Sequence, residues 1–190
     1  SGTGTVDGSS AGRRFDAAAF LSGAFTGPVS HEGQAAMEFE ALARSAGDAP
    51  GDAGPAAPRA TGPQAGSPTH SPAPAHRTPD DDREAVAALL AAVAGRSAPV
   101  AERARDFHRG LAGLFAARLE AAAEQAGTTV VGVTGGCALN RLFVSDLAAA
   151  LSARGLKLLE HHTVPANDGG LSLGQAAAAR AGVDDFARLN

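Results

Sequence analysis

The chain has 190 residues, enough for one ordinary domain of roughly 100–200 residues, and its 44% hydrophobic share includes no Trp and no Tyr. Much of that share is Ala, so the core must rest on Leu, Val and eight Phe, and a formal charge of −4 argues against a nucleic-acid-binding face or a polybasic membrane patch. No run approaches the roughly 20 apolar residues of a membrane span, no signal segment opens the chain, and a single cysteine excludes an internal disulfide, so a cytoplasmic setting is expected.

The opening SGTGTVDGSS reads as a loop without an initiator Met, which points to a fragment of a longer protein. Residues 1–46 are expected to be mainly helical. Phe15, Ala18, Ala19, Phe20 and Leu21 recur at helical spacing until GAFTGP (23–28) breaks the run. SHEGQAAMEFEALARSAG (30–47) predicts a second helix, with Ser30 as N-cap, Glu32 in the first turn where a carboxylate suits the helix dipole, and Gly47 at its end. Residues 47–79 are crowded with Pro, Gly, Ala, Ser and Thr and cannot bury enough apolar surface to offset their ordering entropy. They are expected to form a flexible insertion in which His70 and His76 are solvated.

Residues 80–190 are expected to form helices followed by a βαβα lobe. In PDDDREAVAALLAAVAG, Val86, Leu89, Leu90 and Val93 share one helical face. Past Pro99, Val100, Ala104, Phe107, Leu111, Leu114, Phe115 and Leu119 keep the rhythm of a longer helix. TTVVGVTGG (128–136) is the pattern of a buried parallel strand ending in two glycines, CALNRLFVSDLAAALSARG (137–155) an amphipathic helix, LKLLEHHTV (156–164) a second strand, and PANDGGLSLGQAAAARAG a turn into a final helix. Strand and helix alternating through short connections imply an α/β fold with a parallel sheet.

Ligands of open parallel sheets sit beyond the carboxyl ends of the strands, and the two least ordinary turns of this sequence fall there. In TGGCALN (134–140), Gly135 and Gly136 let a backbone approach a phosphate or ribose, the next helix offers free N–H groups, and the Asn140 amide stands within reach of a ligand hydroxyl. Close strand–helix packing would use the same glycines. In PANDGGLSLG (165–174), Asp168 is placed either to ligate a metal or to cap a glycine-rich turn, and Asn167 to hold the turn or a ligand.

The combination GGxxxN and NDGG, with an amphipathic helix between, resembles the C-terminal lobe of the hydrogenase-maturation carbamoyltransferases, the HypF family. SSAGRRFDAAAFLSGA (9–24) is similar to the family's SSxGRLFDAVA, and SHEGQAAMEFEALA (30–43) to its SYEGQAAxELEALA. ARDFHRGLA (104–112) is similar to ARFHNTLA, and VPANDGGLSLGQA (164–176) to VPPNDGGLALGQA. The resemblance implies the C-terminal lobe of an actin-like (ASKHA, Kae1-like) fold, with nucleotide in a cleft between paired lobes. It implies ATP and the carbamoyl-adenylate made from it as cofactors, together with a divalent metal, iron or another. It implies transfer of the carbamoyl group to the C-terminal cysteine thiolate of a hydrogenase-maturation partner, with the rest of its own upstream domains as a further partner. By position, Asp168 becomes a metal ligand, and Gly135, Gly136, Asn140, Asn167 and Gly169 nucleotide contacts, with Glu32 and Gly33 as further candidates. Ser10, Gly12 and Arg13 lie in a matching segment without assigned roles.

The resemblance has limits. The family's metal site also uses an HxxxH pair, and no two histidines here have that spacing, so the chain alone is expected to transfer little or no carbamoyl group. His161 and His162 are expected on a strand, one facing in and one out, and His108 is expected to be a packed or capping residue. His31 stands where the family has Tyr. Cys137, at a helix start, is expected to pack rather than to react, although such a position can activate a thiol. Two further readings stand beside the first: a carbamoyltransferase acting on a small-molecule hydroxyl or on tRNA, and a non-catalytic nucleotide-binding or partner-docking module.

Overall fold

A computed structural model describes residues 10–46, 79–95 and 97–180. The elements run α1 (Ala11–Ser22), α2 (Gln34–Ser45), α3 (Pro79–Ala94), α4 (Val100–Ala126), β1 (Val130–Gly132), α5 (Arg141–Ser152), β2 (Lys157–Leu159) and α6 (Leu171–Arg180). Short 3-10 turns at Gly136–Leu139 and Asp168–Gly170 precede α5 and α6. The expected insertion lies outside the described residues except for Pro79, which opens α3.

Each long helix buries one stripe. Helix α1 turns Phe15, Ala18, Ala19 and Ser22 inward, α2 Ala35, Phe39 and Ala43, and α5 Leu142, Phe143, Val144, Leu147 and Leu151. Helix α4 is the spine against which α1, α2, α3 and α5 all pack, and its buried row runs through Ala104, Phe107, His108, Leu111, Ala112 and Ala116. Alanine brings the helices close and phenylalanine fills the space between them. Phe15 meets Phe107 and Phe143 edge-to-face, Phe39 meets Phe107, and Phe115 meets Phe143, with centroids 5.5–5.8 Å apart. Such pairs add about 0.5–1.5 kcal/mol beyond the area they bury. A chain poor in aromatic residues has placed five of its eight Phe in one cluster.

One buried ion pair ties α4 to α5. The Arg105 guanidinium forks onto both oxygens of Asp146, one of them at 2.7 Å, with the two side chains only 3% and 10% exposed.

The expected sheet is present and small. Strands β1 and β2 pair in parallel with Val131 opposite Leu158, and Val131 is the buried residue of β1. Three departures from the sequence reading bear on the site. Helix α2 begins at Gln34 rather than near Ser30, because Gly33 takes the left-handed conformation (φ 77°) as N-cap, leaving Glu32 ahead of the helix. The helix expected over 137–155 is broken at Asn140 into a 3-10 turn and α5. Strand β2 ends at Leu159, so His161 and His162 lie beyond it and both are exposed, not one in and one out.

Candidate functional site

The loops that leave β1 and β2 run side by side and are joined. The Gly135 N–H donates to the Ala166 carbonyl at 2.7 Å, and the Thr134 hydroxyl donates to the same oxygen at 3.1 Å. Gly135 has φ 91° and ψ 175°, a conformation that a Cβ makes strained, so glycine is required there by the backbone itself. Gly136 differs. Its φ is ordinary and a Cβ built on it meets nothing within 4 Å. The fold does not need glycine at 136, and both glycines are exposed at the mouth of the paired turns.

On the second turn Asn167 is the cap. Its Oδ1 accepts from the Gly169 N–H at 3.2 Å, while the Gly170 N–H donates to the Asn167 carbonyl at 2.9 Å. Of the two earlier readings of Asn167, holding the turn is the one the geometry displays. Asp168 opens the 3-10 turn with its carboxylate exposed, on the same side chain-bearing loop that Ala166 anchors to Gly135. Gly170 is explained by packing, since a Cβ there would come within 2.6 Å of the Pro165 carbonyl oxygen. Beside the joined turns is a cleft of about 280 Å³, lined by Val133, Ala138 and Leu139 on one wall and by His162, Val164 and Ala166 on the other.

The start of α5 departs from expectation. Asn140 is its N-cap and is buried, not a residue of the first turn with a side chain free to reach a ligand. Its Oδ1 accepts from the Phe143 N–H at 2.8 Å and its Nδ2 lies 3.1 Å from His108 Nε2. Of the first N–H groups of α5, those of Leu142 and Phe143 are already taken within the protein. Glu40 Oε1, from α2, accepts from the Leu142 N–H at 3.2 Å, and the Val144 N–H donates to the Asn140 carbonyl. A carboxylate of the protein already occupies the positive end of this helix. At the first turn Gly135 has its N–H on the Ala166 carbonyl and its own carbonyl on the Ala138 N–H, so the surface offered to a ligand is the exposed backbone at Gly136 rather than the α5 terminus.

Glu40 was not visible as a partner of this turn from the sequence, because 102 residues separate it from Leu142. Glu32 and Gly33 are exposed, and none of the described hydrogen bonds joins them to the two turns. Cys137 is half-buried and pairs with no other thiol. Burial, and secondarily the Asp16 carboxylate, push its thiol above the ordinary value of 9.0, which is the opposite of an activated nucleophile. Among the described residues no group of three or more His, Cys, Asp or Glu could hold a metal ion. Asp168 offers a single carboxylate, fewer donors than a bound metal normally takes.

Two parallel strands whose carboxyl ends carry joined glycine turns, backed by a layer of helices, define an α/β lobe, and in such sheets those ends are where ligands are held. The family profile described as carbamoyltransferase, Kae1-like domain, second subdomain matches residues 1–175. The chain is 40% identical over 178 residues to carbamoyltransferase HypF of Rhizobium leguminosarum bv. viciae, covering 90% of this chain and 20% of that protein. It is 36% identical to carbamoyltransferase HypF2 of Cupriavidus necator, covering 88% and 21%. Full-length HypF crystallised in a phosphate- and nucleotide-bound form superposes with a TM-score of 0.64 at 26% identity, over 94% of this chain and 21% of that one. HypF of T. kodakarensis superposes with a TM-score of 0.65 at 25% identity, over 96% and 21%. The chain therefore belongs to the HypF carbamoyltransferase family, and it spans about a fifth of the length of the curated relatives it matches. Among the described residues no helix is long and apolar enough to cross a membrane.

Proposed function

We propose that this chain is the nucleotide-holding lobe of a carbamoyltransferase, with the adenylate end of a carbamoyl-adenylate lying against the Gly135–Gly136 backbone. The observation that carries this reading is the Gly135 N–H to Ala166 carbonyl bond, which sets two exposed glycine turns at one sheet end while leaving position 136 a glycine that the fold does not require. A phosphate or ribose approaching the peptide plane would favour glycine there. Asn167 and Gly169 shape the facing turn, and Asp168 places one negative charge on it. That carboxylate suits a site where a cation accompanies the nucleotide, with further donors supplied from outside the described residues.

In the complete reaction a thiolate of a partner protein's C-terminal cysteine attacks the carbamoyl carbon, the carbon–sulfur bond forms, and AMP departs with the electrons of the carbon–oxygen bond. This lobe would bind and orient the nucleotide, leaving the acceptor and the remaining catalytic groups to other parts of the assembly. The partner in this reading is a hydrogenase-maturation acceptor. Calorimetric titration of the chain with ATP tests the binding role: saturable binding that Gly136→Ala weakens at least tenfold is expected, and equal affinity in the two proteins would overturn it.

A further inference from the structure

His108 is fully buried in the first third of α4, 32 residues from the Asn140 it touches. Its ring lies against Phe39 (5.4 Å between centroids, 26° between planes) and Phe15 (4.9 Å, 43°). The two ends of its hydrogen-bond chain are fixed by backbone groups with only one possible role. At one end the Ala104 carbonyl, 2.8 Å from Nδ1, can only accept, so Nδ1 carries the hydrogen. At the other end the Phe143 N–H can only donate, so Asn140 presents Oδ1 to it and turns Nδ2 toward the ring. The order is therefore Phe143 N–H to Asn140 Oδ1, Asn140 N–H to His108 Nε2, and His108 Nδ1–H to the Ala104 carbonyl. Only a neutral imidazole with a bare Nε2 completes it. An imidazolium would point an N–H at the Asn140 amide hydrogens and break the link.

We propose that His108 is a positioning residue for the 135–140 turn, holding it through Asn140 in the conformation that presents the Gly135–Gly136 backbone. The link from α4 to that turn rests on geometry alone, and its relevance to nucleotide rests on the function proposed above. Asn140 closes the 3-10 turn Gly136–Leu139, its N–H donating to the Cys137 carbonyl, so whatever fixes its side chain fixes the turn. The charged groups facing the ring are Glu40 from α2, Asp146 from α5 and Arg105 from α4 itself. Arg105 is already paired with Asp146, while Glu40 holds the Leu142 N–H and Arg44. Among the described residues no carboxylate hydrogen-bonds the imidazole, whose two nitrogens are met by Ala104 and Asn140.

The test is amide hydrogen exchange across the chain, followed by mass spectrometry, and it needs no ligand. Replacing His108 by Leu keeps the apolar bulk and removes the acceptor; replacing it by Gln restores an acceptor for the Asn140 amide. Exchange in the 135–144 segment is expected to quicken about tenfold in His108→Leu, the weight of one buried hydrogen bond, and to return toward wild type in His108→Gln, with the 111–123 stretch of α4 unaffected in both. In the unaltered protein, exchange in that segment, corrected for intrinsic rates, is expected to quicken as pH falls below 6.5 and the buried ring is driven to take up its proton, and in His108→Gln it should not. A folded His108→Leu protein with unchanged protection of the turn overturns the proposal. Should that variant fail to fold, a wild-type turn whose protection stays unchanged as pH falls from 6.5 to the onset of acid unfolding overturns it instead. Absence of ATP binding by the wild-type chain would sink the functional reading while leaving the exchange result to decide the role of His108.

Discussion

Asn140 Nδ2 lies 3.1 Å from His108 Nε2, a contact that joins the cap of one helix to a buried residue of another across 32 residues of sequence. It sits between the aromatic cluster that stabilises the helices and the turn that faces solvent, so packing and site share one hydrogen bond.

Removing the cap should therefore cost more than an ordinary surface change. Asn140→Ala deletes the acceptor for the Phe143 N–H and leaves His108 Nε2 buried without a donor. Loss of an N-cap is worth about 0.5–2 kcal/mol and a stranded buried polar atom about 1–3 kcal/mol, so a destabilisation of about 2–4 kcal/mol is expected. Chemical denaturation measures it, and a loss under about 0.5 kcal/mol would mean that the cap is dispensable.

Acid should act on the same contact. Desolvation outweighs the raising effects of the Ala104 hydrogen bond and of the Glu40 and Asp146 charges, and holds His108 below its ordinary 6.5 in the folded chain. The unfolded chain then binds the proton first, so the contribution of this residue is complete above pH 6.5 and declines as pH falls from there toward the lowered value. Denaturation midpoints followed through that window should drop in the native protein and drop less in His108→Gln. Parallel curves would remove His108 as the group responsible.

The glycines of the two turns should separate by their reasons for being glycine. Gly170→Ala forces a Cβ to within 2.6 Å of the Pro165 carbonyl oxygen and should lower stability by about 1–3 kcal/mol, as overpacking against backbone does. Gly136→Ala meets open space at an ordinary φ and should melt within a few degrees of the native chain. Thermal unfolding of the two variants side by side decides the matter; equal losses would show that the turns are constrained alike.

The lone cysteine should be slow to react. With its thiol pushed above 9.0 by burial and by Asp16, Cys137 should alkylate more slowly at neutral pH than a free peptide thiol, with a pH midpoint displaced upward. Iodoacetamide labelling rates against pH provide the check. A rate equal to or above that of the free thiol would reopen Cys137 as a nucleophile.

Much of this architecture was legible because it is periodic or local. The stripes of Phe15 and Phe39, the β-branched run ending in two glycines and the NDGG turn are all written within a few neighbouring residues. The parallel pairing of β1 with β2 followed from the alternation of strand and helix. What escaped was set by tertiary partners. Asn140 reads alike whether its amide faces solvent or His108, and only the packing of α4 on α5 decides between them. Glu40 looks like a solvated helix residue with an i, i+4 partner in Arg44 until α2 brings it to the Leu142 N–H. The start of α2 moved because Gly33 could take a left-handed conformation that competes with capping by Ser30. His161 and His162 follow a β-like run in sequence, yet the strand ends at Leu159, the last residue paired with β1.

The measurement closest to the central claim is a titration of the isotope-labelled chain with ATP, read at the backbone amide resonances. A nucleotide held by the joined turns should give saturable shifts concentrated at Gly135, Gly136 and Cys137 and at Asp168–Gly170, with α3 and the far end of α4 unmoved. Saturable shifts centred elsewhere, or none at millimolar ATP, would contradict the assignment of these turns as the nucleotide site.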